Sequence, residues 1–338
     1  MDDLRVANPT ESSRWLSEGD EPAFRALLQA RYGDSYSYPF LYEPGGASRL
    51  WSAGRLISLG QFDARGTLLS HTGLWVTPGR DSVDSGLSLS RPSRRVAGDR
   101  AEHAHAWEYV LDRLKNHVGF LHQNTSTLHL MAQRYASRFM RAVPVGLVVD
   151  YTRGERLIGV EGSGVPMQAL AMTTLLGGPL ERTRYLPSGA WGDWLLSILA
   201  GLGLSDTAVQ VPMERGHGGT ERYVLRPLDW NESLQLERRL FVGRGGGEPG
   251  LKSSRARVDL VHLPMGEAGL VSEGTSALLA AGYRPTGIRL RHHEPDEIVF
   301  QHIADAQVAC AAVGQARLAG QDAQLLFSGW SDRCARTS

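Results

Sequence analysis

The sequence predicts a mixed α/β fold, a mostly antiparallel sheet flanked by helices, and three stretches carry that expectation. Two strand-like runs, residues 48–60 and 68–76, meet at Asp63-Ala64-Arg65-Gly66, the turn chemistry and alternation of an antiparallel hairpin. A further alternating strand, 81–90, closes at Pro92 and feeds a short basic, glycine-containing loop and a long amphipathic helix over 101–117. Near the C-terminus the order strand, helix, turn, strand recurs: 255–265, 269–281, 282–287 and 288–292.

At 338 residues there is room for two domains, expected at 1–155 and 156–338. The 36 basic and 36 acidic side chains cancel, so no global charge argues for nucleic acid or a membrane surface as partner, and only a local basic loop remains for anions. Cys310 and Cys334 have no Cys/His spacing of a zinc site. They are expected as free thiols in a reducing cytoplasm, with an isolated disulfide as the lesser reading. The first residues lack a basic, apolar leader, and no apolar run approaches the roughly 20 residues of a membrane helix. A soluble cytoplasmic protein without a metal is the expectation.

In chain order, residues 17–32 read as a helix stopped by Gly33, with Phe24, Leu27, Leu28 and Tyr32 at helical spacing. The aromatic stretch holding Tyr36, Tyr38 and Tyr42 is broken by Pro39; closing the core is the plain role for any one of these rings. After the hairpin, the third strand and the helix over 101–117 come a strand at 121–130, a helix at 131–140 and a strand at 145–151. Residues 153–178 show little periodicity, 190–204 a short helix, and 221–230 a strand and turn. The glycine-rich segment 242–250 has nothing strand-like before it and reads as a flexible connection. A strand at 297–304 follows the C-terminal repeat. His103 and His105 stand two apart and cannot share a helix face as metal ligands would, and His292-His293-Glu294 beside Pro295 reads as an exposed turn.

The loop Arg94-Arg95-Val96-Ala97-Gly98-Asp99-Arg100 resembles the pyrophosphate loop of the GCN5-related N-acetyltransferase (GNAT) superfamily, Gln/Arg-x-x-Gly-x-Gly/Ala, with Arg100 standing where the second small residue belongs. Ser70-His71, and Thr127-Leu128-His129-Leu130-Met131-Ala132-Gln133-Arg134, add to the resemblance, which covers residues 17–155. The C-terminal phrase of helix, AAGYRP-TGI and strand resembles the ending of the same fold, so a second, truncated GNAT-like half is expected there.

The resemblance implies an acyltransferase that moves an acyl group from acyl-CoA, its co-substrate, to a small amine or hydroxyl acceptor by direct attack. Leu87, Ser88, Leu89 and Ser90 would contact pantetheine along a splayed central strand. Arg94, Arg95, Val96, Ala97, Gly98, Asp99 and Arg100 would hold the phosphates, by helix-start amides and guanidinium donors; a solvated turn with Asp99 capping the helix is the plain reading. Tyr36, Tyr38 and Tyr42 would line the acceptor pocket. Asp84 would orient a water or an ammonium, His129 would act as base unless it is a hydrogen-bonded structural histidine, and Tyr135 is the phenol nearest the family's acid position. Other readings stay open: a thioester on an acyl-carrier protein, aminoacyl-tRNA as donor, or a binding module without catalysis.

Overall fold

The protein is described by a computed structural model over residues 7–77, 82–91, 100–128, 130–151, 158, 167–177, 181–213, 223–232, 234–245, 255–314 and 316–336. The first half runs β1 (Ser13–Trp15), α1 (Glu21–Tyr32), α2 (Gly46–Ser52), β2 (Leu56–Phe62), β3 (Leu68–Val76), β4 (Ser82–Ser90), α3 (Arg100–Leu114), β5 (Phe120–Ser126), α4 (Leu130–Phe139), β6 (Val143–Val148) and β7 (Ala169–Leu175). The second runs β8 (Arg184–Pro187), α5 (Ala190–Gly201), β9 (Ala208–Val211), β10 (Tyr223–Asn231), β11 (Leu236–Arg244), β12 (Val258–Pro264), α6 (Ala268–Ala280), β13 (Tyr283–Arg289), β14 (Glu297–His302), α7 (Ala306–Gly314) and α8 (Gln321–Arg336).

Twelve of these strands form one mixed, mostly antiparallel sheet in the order β1-β2-β3-β4-β5-β7-β6-β13-β14-β12-β11-β10, and β8 pairs with β9 apart from it. Within the large sheet only β4/β5 and β11/β12 are parallel among the described pairs. The two halves repeat one pairing scheme. β4 lies parallel to β5, and β7 inserts between β5 and β6; likewise β11 lies parallel to β12, and β14 inserts between β12 and β13. β6 and β13, the matching strands, meet antiparallel with Gly146 opposite Gly287. The expected boundary at residue 155 falls between β6 and β7, which pair directly.

One expected strand is corrected. Residues 48–52 belong to α2, a helix, because a carboxylate 24 or more positions upstream caps it: Glu21 accepts the N–H groups of Gly45 (2.8 Å), Ala47 (2.9 Å) and Ser48 (3.2 Å). Gly46 is required there, since a Cβ would sit 1.9 Å from the Phe40 carbonyl oxygen. The hairpin itself is formed by β2 and β3, and its turn is tied by Asp63 accepting from Arg65 and Thr67 N–H. β7 and β11 were not legible as strands. Segment 242–250 begins within β11, and 246–250 lie outside the described residues.

α3 and α4 cover one face of the first half, with Trp107, Val110 and Leu114 against Val83 and Leu121; α1 and α2 cover part of the other through Phe24, Leu27, Leu28 and Trp51. Burying side chains of this size, at about 25 cal/mol per Å² of apolar surface, is the main driving force for stacking helices on the sheet. Cys310 is half-buried and Cys334 buried, both as free thiols; burial, with Cys310 nearby, pushes the Cys334 thiol up to about 12. Among the described residues no helix is long and apolar enough to cross a membrane, and no group of three or more His, Cys, Asp or Glu side chains is arranged to hold a metal ion.

Candidate active site

Strand register puts a row of polar and aromatic side chains on one face. Trp75 of β3 is opposite Asp84 of β4, Asp84 opposite His122 of β5, and His122 opposite Thr173 of β7. Since side chains two apart share a face, Val83 and Leu121 point the other way, to α3 and α4. The same rule on the second half aligns Arg289 with Glu297, Val299 with His262, and Arg238 with Leu260.

The two faces look at each other. β4 and β13 are four places apart in the sheet, roughly 19 Å if it were flat, more than an aspartate and an arginine span together. Yet Arg289 Nη2 lies 3.2 Å from both carboxylate oxygens of Asp84. Tyr38, before α2, likewise accepts a 2.9 Å hydrogen bond from Asn231 Nδ2 at the end of β10, the outermost strand of the second half. The sheet therefore curls into a trough between the halves, with Asp84 at its middle.

Asp84 is ringed by protein at longer range, yet 41% of its side-chain surface is open, so it lines a space instead of packing into the core. Burial alone would raise its carboxyl, but Arg289, with His122 and Arg238 behind it, overrides that and holds it at about 2. His122 is fixed in one tautomer. Its Nε2 can only donate to the Leu290 carbonyl (3.2 Å), so its Nδ1 accepts from the Thr173 hydroxyl (2.8 Å). Burial, then Arg289, depresses this ring to about 3, and with both nitrogens committed it is a neutral brace and no base. Deeper in, Glu297 takes His262 Nδ1 at 2.8 Å and Arg291 Nη2 at 3.0 and 2.9 Å. Burial opposes ionisation of Glu297, but His262 and Arg291 bring its carboxyl down to about 2.

The mouth of the trough is a parted strand pair. β4 and β5 are in register only from Ser82–Phe120 to Ser85–Gln123, whereas β4 continues along β3 as far as Ser90 and β5 along β7 as far as Ser126. Beyond Ser85 the β5-facing edge of β4 carries no strand among the described residues. A bulge marks the same place: Leu87 has φ 54°, and its carbonyl is taken by His71 Nδ1 at 2.8 Å. The extra residue flips the alternation, so Leu87 and Leu89 bury against α1 and α2 while Ser88 is exposed.

Of the residues expected from sequence, Asp84 and Tyr38 come together around the trough. Tyr36 stacks between Tyr32 (4.7 Å) and Tyr38 (5.5 Å), and Tyr42 accepts the Tyr36 N–H at 3.2 Å, so both stand behind Tyr38, which itself packs on Trp75. Burial pushes the Tyr38 phenol upward, keeping it protonated. Tyr135 lies on the α3 side, accepting the Trp107 indole N–H, and burial raises it too. Arg94 to Asp99, the Arg100 side chain and His129 lie outside the described residues. Sequence reasoning missed His122, Arg238 and Arg289; the alternation of β5 carried a signal for His122, and nothing local marked the two arginines. A half-open hollow of about 790 Å³ on the α3–α4 side, lined by Glu108, Lys115 and Arg141 among others, touches none of this chemistry.

No family model and no curated protein matches this chain. Solved structures similar to it include a spermidine N-acetyltransferase SpeG variant from Vibrio cholerae (14% identity, 49% of this chain and 95% of that one, TM-score 0.38). An aminoglycoside 6'-acetyltransferase type Ii is similar at 11% identity, over 50% and 99% of the two chains, with TM-score 0.33. The ribosomal-protein-S5-alanine acetyltransferase of Vibrio fischeri is similar at 9% identity, over 49% and 93%, with TM-score 0.36.

Proposed function

We propose that this chain transfers an acyl group from a pantetheine thioester, acyl-CoA, to an amine or hydroxyl acceptor held in the trough. One observation carries the reading: β4 and β5 part after Ser85–Gln123, one residue past Asp84, and β4 then leads through the basic loop to α3. The unpaired edge over Gly86 to Ser90 fits an extended pantetheine arm, whose amides can add to a strand edge as a further strand does. The loop Arg94 to Arg100 and the start of α3 would take the phosphates. In this reading the chain is a tandem of two GNAT-like units, the first running through β7, and only the first has a phosphate loop. The repeated pairing scheme supports that division.

The thioester supplies the electrophile. The acceptor nitrogen attacks the carbonyl carbon, the C–S bond breaks, and the thiolate leaves with a proton while the attacking nitrogen gives one up. Asp84, anionic at any physiological pH, is too weak a base to strip an ammonium efficiently. Its role is to anchor and orient the acceptor nitrogen, with His129 as the base. The Tyr38 phenol accepts from Asn231 and keeps its own proton to donate into the trough. His122 holds the wall by joining β5 to β7 at Thr173 and to Leu290, the residue after β13.

The test is thermal unfolding of the full chain with CoA, acetyl-CoA and phosphopantetheine. At ten to a hundred times a dissociation constant, binding should add about 1.4–2.7 kcal/mol. No shift with any of the three would remove the thioester reading.

A further inference from the structure

The geometry points to an acceptor that carries a carboxylate beside its amine, an α-amino acid, bound with its nitrogen at Asp84 and its carboxylate on the guanidinium groups of Arg289 and Arg238. This rests on the acyl-transfer reading for what happens to the nitrogen, and on the trough alone for the binding.

Three arginine–carboxylate pairs away from Asp84 are short: Arg184 Nε to Asp296 is 2.6 Å, Arg239 Nη2 to Asp259 is 2.7 Å, and Arg14 grips Asp20 with two nitrogens at 2.7 and 2.6 Å. Such distances are those of fully formed charge-assisted bonds. Arg289–Asp84 and Arg238–Asp229 are longer and use one nitrogen each. Arg289 spends only Nη2 on Asp84, at 3.2 Å to both oxygens, and its buried Nε has no partner among the described residues. Arg238 spends only Nη1 on Asp229, at 3.3 and 3.2 Å.

A guanidinium has five N–H donors in a planar fork, so each arginine keeps donors beyond those its carboxylate takes, and in Arg289 one of them, Nε, is buried, where a donor without an acceptor is unfavourable. The chain tolerates this at the centre of the trough, where it also exposes Asp84. Register puts Arg238 on the same sheet face as Arg289, through Leu260, His262, Val299 and Glu297, and its charge also helps hold that of Asp84, so both guanidinium groups are assigned to one site. A purely cationic amine would satisfy Asp84 but leave both donor edges empty and sit among like charges. A zwitterion with the two groups one carbon apart satisfies both, replacing the long Asp84–Arg289 contact with two short ones.

The test is isothermal titration of the full chain, with and without CoA, using individual L-α-amino acids, each beside its decarboxylated amine and its N-acetyl derivative. At least one amino acid should bind, its amine and N-acetyl partners roughly tenfold or more weaker. Arg238→Gln should weaken that amino acid by roughly tenfold or more and leave CoA affinity within about twofold; Arg289→Gln should do the same where it folds. The proposal is overturned if the amines bind as well as the amino acids, if inorganic phosphate competes better than any amino acid, if no amino acid binds, or if Arg238→Gln changes nothing. Failure of CoA to bind while amino acids do would sink the acyl-transfer reading and leave this site standing.

Discussion

Arg289 meets Asp84 through a single nitrogen, 3.2 Å from each carboxylate oxygen, although 205 positions separate them. The contact joins the two halves at the point where β4 and β5 part, and it fixes the charge of the carboxylate that faces the trough. Asp84→Asn removes that charge and keeps the shape. Acyl transfer should then fall by roughly 10- to 150-fold, the worth of one charge-assisted bond of about 1.5–3 kcal/mol, while the KM for acetyl-CoA stays within about twofold. Steady-state kinetics with each substrate varied in turn decide it; a variant at full turnover would take Asp84 out of the site.

Acid should weaken this protein earlier than its carboxylates imply. Burial depresses His71 from 6.5 to about 4 and His122 from 6.5 to about 3. Below 6.5 the unfolded chain takes up protons that the folded one refuses, so stability falls as pH drops from there toward the folded values. The loss is on the order of 2 kcal/mol for each ring by about pH 5. Asp84 and Glu297, depressed from 3.8 and 4.5 to about 2, act later: their contribution is present above the unfolded values and disappears as pH falls toward about 2. Urea midpoints at a series of pH values should decline already between neutrality and pH 5, and a flat profile there would contradict the neutral buried rings.

Glu21 builds the loop that presents Tyr38. Its carboxylate gathers three N–H groups at the start of α2, and those backbone bonds, working against burial, lower its pKa. Glu21→Gln keeps one acceptor oxygen and should destabilise by about 1–2 kcal/mol. The same variant should loosen the aromatic stack from Tyr32 to Trp75 and raise the acceptor KM more than it lowers kcat.

How legible these features were follows from where their partners lie. Asp84 was readable through the resemblance alone, because it falls where one branch of the GNAT superfamily often has a glutamate on the central strand. Arg289 was not, since its partner is on another strand of the other half and its own neighbourhood reads as a short strand, 288–292, running into an exposed turn, with nothing to mark this arginine. Residues 48–52 read as a strand because the cap that makes them helical comes from Glu21. β7, ALAMTTL, is buried on both faces along most of its length and so shows no alternation. Local pattern thus located the parted strand, and long-range pairing decided what it faces.

At the joint between the halves the strand glycines among the described residues come closest to facing backbone, which gives the sharpest stability test. Gly146 on β6 and Gly287 on β13 are register partners; a Cβ on the first would lie 2.4 Å from the Thr286 carbonyl oxygen, and one on the second 2.5 Å from that of Val145. The atoms met are backbone on both sides, so no rotamer change relieves the clash, and the strands must separate. Gly146→Ala and Gly287→Ala should each destabilise by about 1–3 kcal/mol or more, and the double variant by less than their sum, because one separation accommodates both methyl groups. Since Asp84 and Arg289 face each other only while β6 and β13 stay joined, either variant should also weaken ligand binding in the trough before the protein unfolds. Calorimetric unfolding paired with ligand titration checks this: additive losses, or an unfolding temperature unchanged by either methyl, would mean that the halves are not held together at this pair.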